Sequence, residues 1–329
     1  IEESLNGVRI VKAGRVATLA STPISPNFAR VLRSLKPDIT HLQSPYPVGE
    51  IAQFWSGHRP YVITYQADVT RPAQRAVMYL YGLLLRRILR GAARVIATSP
   101  NYAASSPYLH GLGDRLVVVP LSADVSRFTP PGAPSAPRPF TLLFVGQFRH
   151  YKGVDDLLRA MTHLPGSTRL LLAGDGPKRA AWESLADALG LGLGQRVAFL
   201  GERPHEALPA LYQSADVFVL PSNSRAEALG MVLVEAMASG LPCVTTEVGS
   251  GTSHVVQHEV TGLVVPPRSP QALAQALNRL AADPVLRARM GAAGRERALQ
   301  HFTVEAMIER VEAVYREVVD GYTGRQVDR

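Results

Sequence analysis

Short apolar runs alternate with longer amphipathic stretches over most of the chain. After residue 139 the apolar runs predict strands and the amphipathic stretches predict helices. The predicted strands cover 140–146, 168–173, 196–200, 216–220, 242–245 and 262–265. The predicted helices cover 153–163, 177–190, 205–213, 230–239, 270–282 and 285–301. This order is typical of an α/β fold with a parallel sheet that helices cover on both faces.

The first part of the chain shows the same alternation, and a proline-rich segment separates it from the rest. Residues 128–139 hold too many Pro and Gly for a regular element. We therefore predict two domains, 1–135 and 136–302. In the first, strands are predicted near 38–42, 61–65, 94–98 and 116–119, and helices near 26–35, 47–56 and 72–91.

The composition suits a globular protein in a reducing compartment. Hydrophobic residues make up 46% of the chain, and the single Cys243 excludes an internal disulfide framework. Residues 77–85 are apolar, but Arg86 and Arg87 follow at once, so no segment is long enough to span a bilayer. The chain start lacks the basic-then-apolar order of a signal peptide, and we expect a cytoplasmic protein.

The positive charge lies in the first part of the chain. Residues 1–135 carry 15 Lys and Arg against 7 Asp and Glu, a net of +8, whereas residues 136–329 carry 20 of each. The predicted helix 72–91 mixes arginines with aromatic and apolar residues, and such a helix can make peripheral contact with an anionic membrane, on the inner face of the plasma membrane. A buried helix with a solvated basic face is the alternative. Nucleic-acid binding is disfavoured, because no such module is visible. The basic excess of the first part is concentrated at Arg71, Arg75, Arg86, Arg87, Arg90 and Arg94.

Two carboxylates flank the start of one predicted helix. Glu227 and Glu235 are eight positions apart, and eight helical residues rise about 12 Å. Such a pair does not easily share one metal ion or one proton. It can contact two ends of one elongated ligand that carries hydroxyl groups at both ends. An ordinary helix start with two solvated acids is the alternative.

The residues between these carboxylates suit an anion. Residues 221–227 are predicted as a loop and 231–238 as a helix. The first N–H groups of a helix lack intrahelical partners and lie at the positive end of its dipole, so a phosphate binds there. Gly230 lets the backbone approach the ligand closely. Glu227 is then placed for sugar hydroxyls and Glu235 for a ribose diol.

Five motifs in this order resemble those of retaining glycosyltransferases of family 4. Each motif is weak by itself, but together they cover about residues 142–310, and the N-terminal part resembles the family more loosely. The motifs are Val145-Gly-Gln-Phe-Arg-His-Tyr-Lys-Gly153, Leu170-Leu-Leu-Ala-Gly-Asp-Gly-Pro177, Ala215-Asp-Val-Phe-Val-Leu-Pro-Ser222, Glu227-Ala-Leu-Gly-Met-Val-Leu-Val-Glu235 and Val260-Thr-Gly-Leu-Val-Val-Pro266.

The resemblance implies a GT-B fold, in which two Rossmann-like doubly wound domains face each other across a cleft. It implies a helix over 303–320 that crosses back to the N-terminal domain. It also implies retaining transfer of a hexose, without metal or cofactor, from GDP-mannose or a UDP-sugar. The implied acceptor is a saccharide or a polyprenyl-linked saccharide in bacterial surface polysaccharide or glycolipid synthesis.

The resemblance assigns the catalytic roles to Glu227 and Lys152. In the family, the Lys of the Lys-Gly pair holds the donor diphosphate. An Arg usually follows the first Gly, but Gln147 follows Gly146 here, and Arg149 is either its substitute or an exposed loop residue. The other expected donor contacts are Gly174, Arg203, Ala228, Leu229, Gly230, Met231 and Glu235.

The N-terminal part departs from the family in two ways. Where the family often has a His that faces the donor sugar, this chain has Gln66, which hydrogen-bonds a hydroxyl but is not a base near neutral pH. We expect Gln66 and Asp68 on the acceptor side. The pattern also begins late, since residues 1–10 resemble a strand pair that normally follows other elements. We expect the first elements of this domain, about 60 residues, to be missing.

Three other functions remain open. A sugar-nucleotide epimerase of the same shape would need a set of N-terminal acids and His that is not recognisable. A Rossmann dehydrogenase is disfavoured, because Gly174-Asp-Gly176 is not a dinucleotide fingerprint with a ribose-binding acid about 20 residues on. Gln66 and Gln147 leave room for a non-catalytic or weakly active sugar-nucleotide-binding protein. The nine His and one Cys show no metal-ligand spacing.

Overall fold

The computed structural model describes residues 2–19, 22–68, 75–132 and 138–327 and divides the chain into two units. The N-terminal unit comprises Ile1–Thr98, Ser106–Val119 and Arg310–Arg329. The C-terminal unit comprises Ser99–Ser105 and Pro120–Glu309.

The N-terminal unit contains two short antiparallel strand pairs and one parallel sheet. The pairs are β1 (Glu2–Leu5) with β2 (Val8–Val11), and β3 (Ala17–Leu19) with β4 (Thr22–Ile24). The parallel sheet has the order β5 (Thr40–Ser44), β6 (Tyr61–Tyr65), β7 (Arg94–Ala97) and β8 (Leu116–Val118). Its helices are α1 (Phe28–Leu35), α2 (Pro47–Ser56) and α3 (Arg75–Gly91).

Helix α3 carries the basic stretch that the sequence singled out. Tyr81, Leu85 and Ile88 are buried, whereas Arg86 and Arg87 are exposed. These apolar positions recur at three- and four-residue intervals, so they form one face that packs in the unit. Tyr81, Leu85 and Ile88 therefore pack in the unit, whereas Leu83 on the same helix is 56% exposed, and membrane contact stays a prediction. Arg71 lies outside the described residues.

The C-terminal unit is built on a six-stranded parallel sheet. Its order is β11-β10-β9-β12-β13-β14, and every pair of neighbours is parallel. The strands β9 and β12 are buried along their whole length, as expected for a parallel sheet covered on both faces. The strands are β9 (Thr141–Val145), β10 (Arg169–Ala173), β11 (Val197–Gly201), β12 (Val217–Leu220), β13 (Cys243–Thr246) and β14 (Gly262–Val265).

Helices follow these strands, and helix α11 (Pro284–His301) begins at a side-chain cap. Asp283 Oδ1 accepts a hydrogen bond from the Leu286 amide at 2.8 Å, and Pro284 occupies the first helical position of α11. The helices of this unit are α4 (Pro100–Ser105), α5 (Val154–Met161), α6 (Arg179–Ala188), α7 (Leu208–Gln213), α8 (Met231–Ala238), α9 (Thr252–Val255), α10 (Pro270–Ala282) and α11 (Pro284–His301). Helix α12 (Val304–Val327) begins in this unit, and from Arg310 onward it belongs to the N-terminal unit.

The predicted α/β class with parallel sheets is confirmed, and the division of the chain differs in position. The C-terminal unit begins at Pro120 rather than at residue 136. The physical reason is packing, because Val125 and Phe128 are buried in its core and Phe128 stacks edge-on against Tyr212 at 5.5 Å. Helix α9 was not predicted, since its four residues are too few to show a helical period.

Candidate functional site

The strand order of the C-terminal unit changes direction between β9 and β12. From β9 the chain moves outward through β10 to β11, and it then returns to place β12 on the other side of β9. In open α/β sheets, ligands bind beyond the carboxyl ends of the strands at such a switch point. The loops that leave these two strands are 146–153 and 221–230. They contain Lys152 and Glu227.

Lys152 and Glu227 meet directly. The Lys152 Nζ donates to Glu227 Oε2 at 2.7 Å, and both side chains are only about a tenth exposed. The Ser222 Oγ donates to the same carboxylate oxygen at 2.9 Å. The Lys152 ammonium also lies 5.4 Å from the centre of the Tyr151 ring. Because an ammonium and a hydroxyl both donate to Oε2, the buried Glu227 carboxylate is held in one orientation.

The two loops are locked to each other by their backbones. The Asn223 amide donates to the Tyr151 carbonyl at 2.8 Å. Gly153 has a φ of +67°, and a Cβ there would lie 2.0 Å from the Pro221 carbonyl oxygen. Only glycine permits this approach. The Lys152–Glu227 ion pair therefore joins two loops whose separation is fixed by their backbones.

Helix α8 begins at the edge of the same region. Its N-cap is Gly230, with a φ of +79°, and a Cβ there would come within 2.9 Å of Leu220 and Leu233. No side chain caps this end, and the Leu233 amide donates to the Gly230 carbonyl at 2.8 Å, so Met231 and Val232 carry the helix amides that have no described intrahelical partner. The preceding turn is held by the Gly251 amide, which donates to the Ala228 carbonyl at 2.7 Å. The predicted bounds of this helix, 231–238, are confirmed.

Glu235 lies on α8 and has a different partner. Tyr212, from α7, is fully buried and donates its hydroxyl to Glu235 Oε2 at 2.7 Å. Burial raises the pKa of Glu235, and the Tyr212 hydrogen bond offsets part of that rise. Burial also raises the pKa of the Tyr212 hydroxyl, which therefore stays protonated as the donor. The two glutamates thus belong to two separate hydrogen-bonded groups.

We expect Glu235→Gln to change how stability depends on pH. A carboxyl group whose pKa is raised on folding binds more protons in the folded state, so the free energy of unfolding falls as pH rises from 4.5 through the raised value. In Glu235→Gln the free energy of unfolding should not fall in this way. The variant should be more stable than the unsubstituted protein at pH 7, and this gain should vanish near pH 4, where the unsubstituted Glu235 is protonated in both states.

Urea denaturation of both proteins across this pH range measures the difference. Burial also raises the pKa of Glu50, but that contribution is common to both proteins and cancels. A stability difference that does not change with pH would contradict the assignment.

The other residues expected to contact the donor differ in their backbone contacts and in their exposure. Gly146 lies beside the Lys152 ammonium, and its amide donates to the Ala173 carbonyl at 3.0 Å. Gly174 follows β10, and its amide donates to the Gly201 carbonyl at 2.9 Å. The side chains of Gln147, Arg149 and Arg203 are exposed, Leu229 is buried, and Ala228 and Met231 are half-buried.

Gln66 and Asp68 lie in the N-terminal unit, directly after β6. The Gln66 Nε2 donates to Gln43 Oε1 at 2.8 Å. Asp68 Oδ1 accepts hydrogen bonds from the Tyr65 hydroxyl at 2.8 Å and from Ser106 Oγ at 2.7 Å. Asp68 therefore has a structural role in this loop, and its place on the acceptor side stays a prediction.

Sequence reasoning missed two residues of the site. Ser222 stands in one of the five motifs, but nothing in the motif shows that its hydroxyl contacts Glu227. Tyr212 lies 23 residues before Glu235 and on another helix, so only the fold brings them together. Among the described residues, no group of three His, Cys, Asp or Glu side chains is arranged to hold a metal ion. No helix in the described part of the chain is long and apolar enough to cross a membrane.

Two family profiles match the sequence. Residues 128–297 match the family described as glycosyl transferases group 1. Residues 2–122 match the glycosyl transferase 4-like domain. The motifs that carry Lys152, Glu227 and Glu235 all fall within the first of these matches.

Two characterised bacterial proteins resemble the chain over most of its length. The D-rhamnosyltransferase WbpZ of Pseudomonas aeruginosa is 35% identical over 296 residues, which are 87% of this chain and 75% of that protein. The O-antigen chain mannosyltransferase C of Escherichia coli is 31% identical over 322 residues, which are 95% of this chain and 84% of that protein.

Solved structures share the fold. Sucrose-phosphate synthase from Thermosynechococcus elongatus superposes with a TM-score of 0.81 at 27% identity, over 97% of this chain and 85% of that one. Anabaena HepE, solved in complex with UDP and glucose, superposes with a TM-score of 0.73 at 23% identity, over 89% of this chain and 81% of that one.

Proposed function

Because the chain belongs to the glycosyl transferases group 1 family, we propose that it transfers a sugar, with retention of configuration, from a nucleotide-diphosphate donor bound at the Lys152–Glu227 pair. The relatives' names include a rhamnosyl- and a mannosyltransferase, and the second is named for the O-antigen chain. We therefore propose GDP-mannose as the first donor to test, and a growing surface saccharide as the acceptor.

The observation that carries this proposal is the buried ion pair at the switch point of the sheet. An ammonium has three N–H donors, and Lys152 directs one of them to Glu227. The other two suit oxygens of the donor diphosphate. Positive charge fixed in a buried site stabilises the negative charge that develops on a leaving diphosphate. The first amides of α8 supply further donors to the same group.

Glu227 is suited to hold the sugar. Both of its described hydrogen bonds end on Oε2, from Lys152 and from Ser222. The other carboxylate oxygen, Oε1, then accepts a hydrogen bond from a hydroxyl of the donor sugar. Glu235 has the corresponding role at the ribose, oriented by Tyr212.

The departing diphosphate serves as the base in this proposal. Gln66 cannot accept a proton near neutral pH, so the acceptor hydroxyl gives its proton to the leaving phosphate oxygen on the same face of the sugar. The bond from the anomeric carbon to the phosphate breaks as the bond to the acceptor oxygen forms. The product keeps the α configuration.

Donor turnover tests the proposal. The protein is incubated with GDP-mannose, UDP-glucose or UDP-N-acetylglucosamine, with and without a lipid-linked saccharide acceptor, and release of nucleoside diphosphate is measured. We expect GDP release that rises with acceptor, and an α-linked product by NMR. A β-linked product would refute retention. Absence of release from every donor, with binding preserved, would favour a non-catalytic sugar-nucleotide-binding protein instead.

We further propose that the N-terminal unit contacts an anionic membrane through an apolar patch on α2 and α3. The patch consists of Ile51, Phe54, Trp55 and Leu83, and Trp55 is 67% and Leu83 56% exposed. Arg87 lies over the Phe54 ring at 5.7 Å, so positive charge borders the patch. Exposed aromatic residues beside arginines suit the interface of a bilayer with anionic headgroups.

Trp55→Ser and Leu83→Ser should each weaken binding to phosphatidylcholine vesicles that contain phosphatidylglycerol. Withdrawing one large apolar side chain from a membrane removes about 1.5–3 kcal/mol, which corresponds to roughly tenfold or more in affinity. Flotation or surface plasmon resonance measures the change. Val285→Ser is the matched control, because Val285 is 76% exposed and lies in the C-terminal unit. Equal losses in all three variants would contradict a role for the patch.

A further inference from the structure

A cavity of about 610 Å³ opens in the N-terminal unit, at the edge of the sheet where the strands begin. Its walls come from 59–61 at the start of β6, 90–94 between α3 and β7, Arg115 before β8, and α12 near Glu317. Ligands of parallel sheets bind at the opposite edge, beyond the carboxyl ends of the strands. Gln66 and Asp68 lie at that opposite edge, so this cavity is separate from the expected substrate site.

The walls of the cavity carry four arginines and one glutamate. Arg94 is paired with Glu317, since its Nε donates to Oε2 at 3.1 Å and its Nη2 donates to Oε1. Among the described residues that line the cavity, Glu317 is the only acid. Arg59, Arg90 and Arg115 therefore contribute three positive charges that no lining carboxylate neutralises.

Two of these three arginines are held in place by the end of α3. Arg59 Nη1 donates to the Gly91 carbonyl at 2.8 Å, and Arg115 Nη1 donates to the Arg90 carbonyl. Arg59 also lies over the Tyr61 ring at 5.5 Å. A guanidinium group has five N–H donors, so both arginines keep several for a ligand. The Arg90 side chain makes no hydrogen bond or ion pair to the described residues.

Capping of α3 explains only part of this arrangement. Basic side chains near the carboxyl end of a helix are favourable, because they interact with its last carbonyl groups. Arg59 and Arg115 already fill that role. The third guanidinium group, Arg90, makes no such contact, and its charge repels the other two. The cavity also has the volume of a small-molecule site, which is typically about 300–1,000 Å³.

We propose that this cavity binds a phosphate group, which either belongs to a free phosphorylated small molecule or is the headgroup of a phospholipid. Guanidinium groups match phosphate oxygens in pairs and stay charged at every physiological pH. The site is independent of the proposed transfer reaction, because none of its residues belongs to the C-terminal unit.

The free-phosphate arm uses inorganic pyrophosphate, titrated calorimetrically into folded Lys152→Met protein, in which the proposed donor site should bind diphosphate about 10–100-fold more weakly. Arg90→Ala should weaken this binding about tenfold, since it removes one charged donor and no described contact. Arg87→Ala is the matched control, because Arg87 is exposed on the same helix but does not line the cavity. Its affinity should stay within about twofold. Arg115→Ala, tested where its thermal unfolding is unchanged, should behave like Arg90→Ala.

The headgroup arm compares vesicles that contain phosphatidic acid with vesicles of equal surface charge that contain phosphatidylglycerol. A headgroup site predicts tighter binding to phosphatidic acid, lost in Arg90→Ala and retained in Arg87→Ala. Donor turnover by Arg90→Ala with soluble acceptor should be unchanged, which separates this site from the transferase site. The proposal is overturned if pyrophosphate does not bind and phosphatidic acid is not preferred, or if Arg87→Ala and Arg90→Ala weaken pyrophosphate binding equally.

Discussion

Glu227→Gln is expected to lower kcat for sugar transfer by about 10²–10³-fold, the usual cost of removing one charge-stabilising contact from a transition state. Glutamine has nearly the same shape, so it keeps the space between Lys152 and Ser222 filled. It loses the negative charge that pairs with the Lys152 ammonium and that, in the proposed function, holds the sugar hydroxyl. KM for the donor should change less than kcat, because the diphosphate contacts from Lys152 and α8 remain. Steady-state kinetics with GDP-mannose measures both constants.

The matched control is Glu202→Gln, an exposed glutamate directly after β11 in the same unit. Its kinetics should equal those of the unsubstituted protein. Glu227→Gln also leaves the buried Lys152 ammonium without its carboxylate, so its stability must be measured alongside activity. An unchanged kcat in a folded Glu227→Gln protein would exclude Glu227 from the reaction.

Much of the C-terminal unit could be predicted from the sequence, for a physical reason. Strands buried on both faces read as continuous apolar runs, and β9 and β12 are buried at every position. The helices between them show a clear apolar period, and Gly and Pro mark their ends. The start of the unit was harder to predict, because Phe128 stands in a proline-rich segment yet packs in the core.

The sequence predicted which two loops lie together, but not the contacts between their side chains. The motifs placed Lys152 against the diphosphate and Glu227 against the sugar as separate roles. In the fold these side chains, 75 residues apart, bind each other. The helical spacing of Glu227 and Glu235 does not apply either, since Glu227 precedes α8. Contacts of this kind depend on how two strand ends align, which no local pattern encodes.

In the N-terminal unit, too, the local sequence did not show which side chains are exposed or lie together. The sequence around Trp55 is typical of an ordinary amphipathic helix. The exposure of the Trp55 side chain depends on how α2 packs, which this pattern does not show. The arginines of the cavity come from separate segments, which meet because three parallel strands begin at one edge of the sheet. The sequence indicated a basic helix, whereas the charge is concentrated where that helix ends.

Replacing both members of the buried pair should separate stability from function. In Lys152→Met the Glu227 carboxylate stays buried without its cation, and in Glu227→Leu the ammonium does, so each single variant should lose about 3–5 kcal/mol of the free energy of unfolding. The double variant replaces the pair by apolar groups of similar volume, and it should recover most of that loss. Urea denaturation of all four proteins gives the coupling between the two sites.

The double variant should recover stability without recovering its affinity for the diphosphate. Lys152→Met should bind the nucleoside diphosphate product about 10–100-fold more weakly, because it lacks the charged hydrogen bonds to phosphate, and the double variant should be as weak. Arg169→Met is the control, since it removes an exposed charge at the start of β10, the edge away from the site. If a stable double variant still bound the diphosphate tightly, the pair would have no part in donor binding. Weak binding by a stable double variant assigns the pair to the donor, because the loss of binding then does not come from a loss of stability.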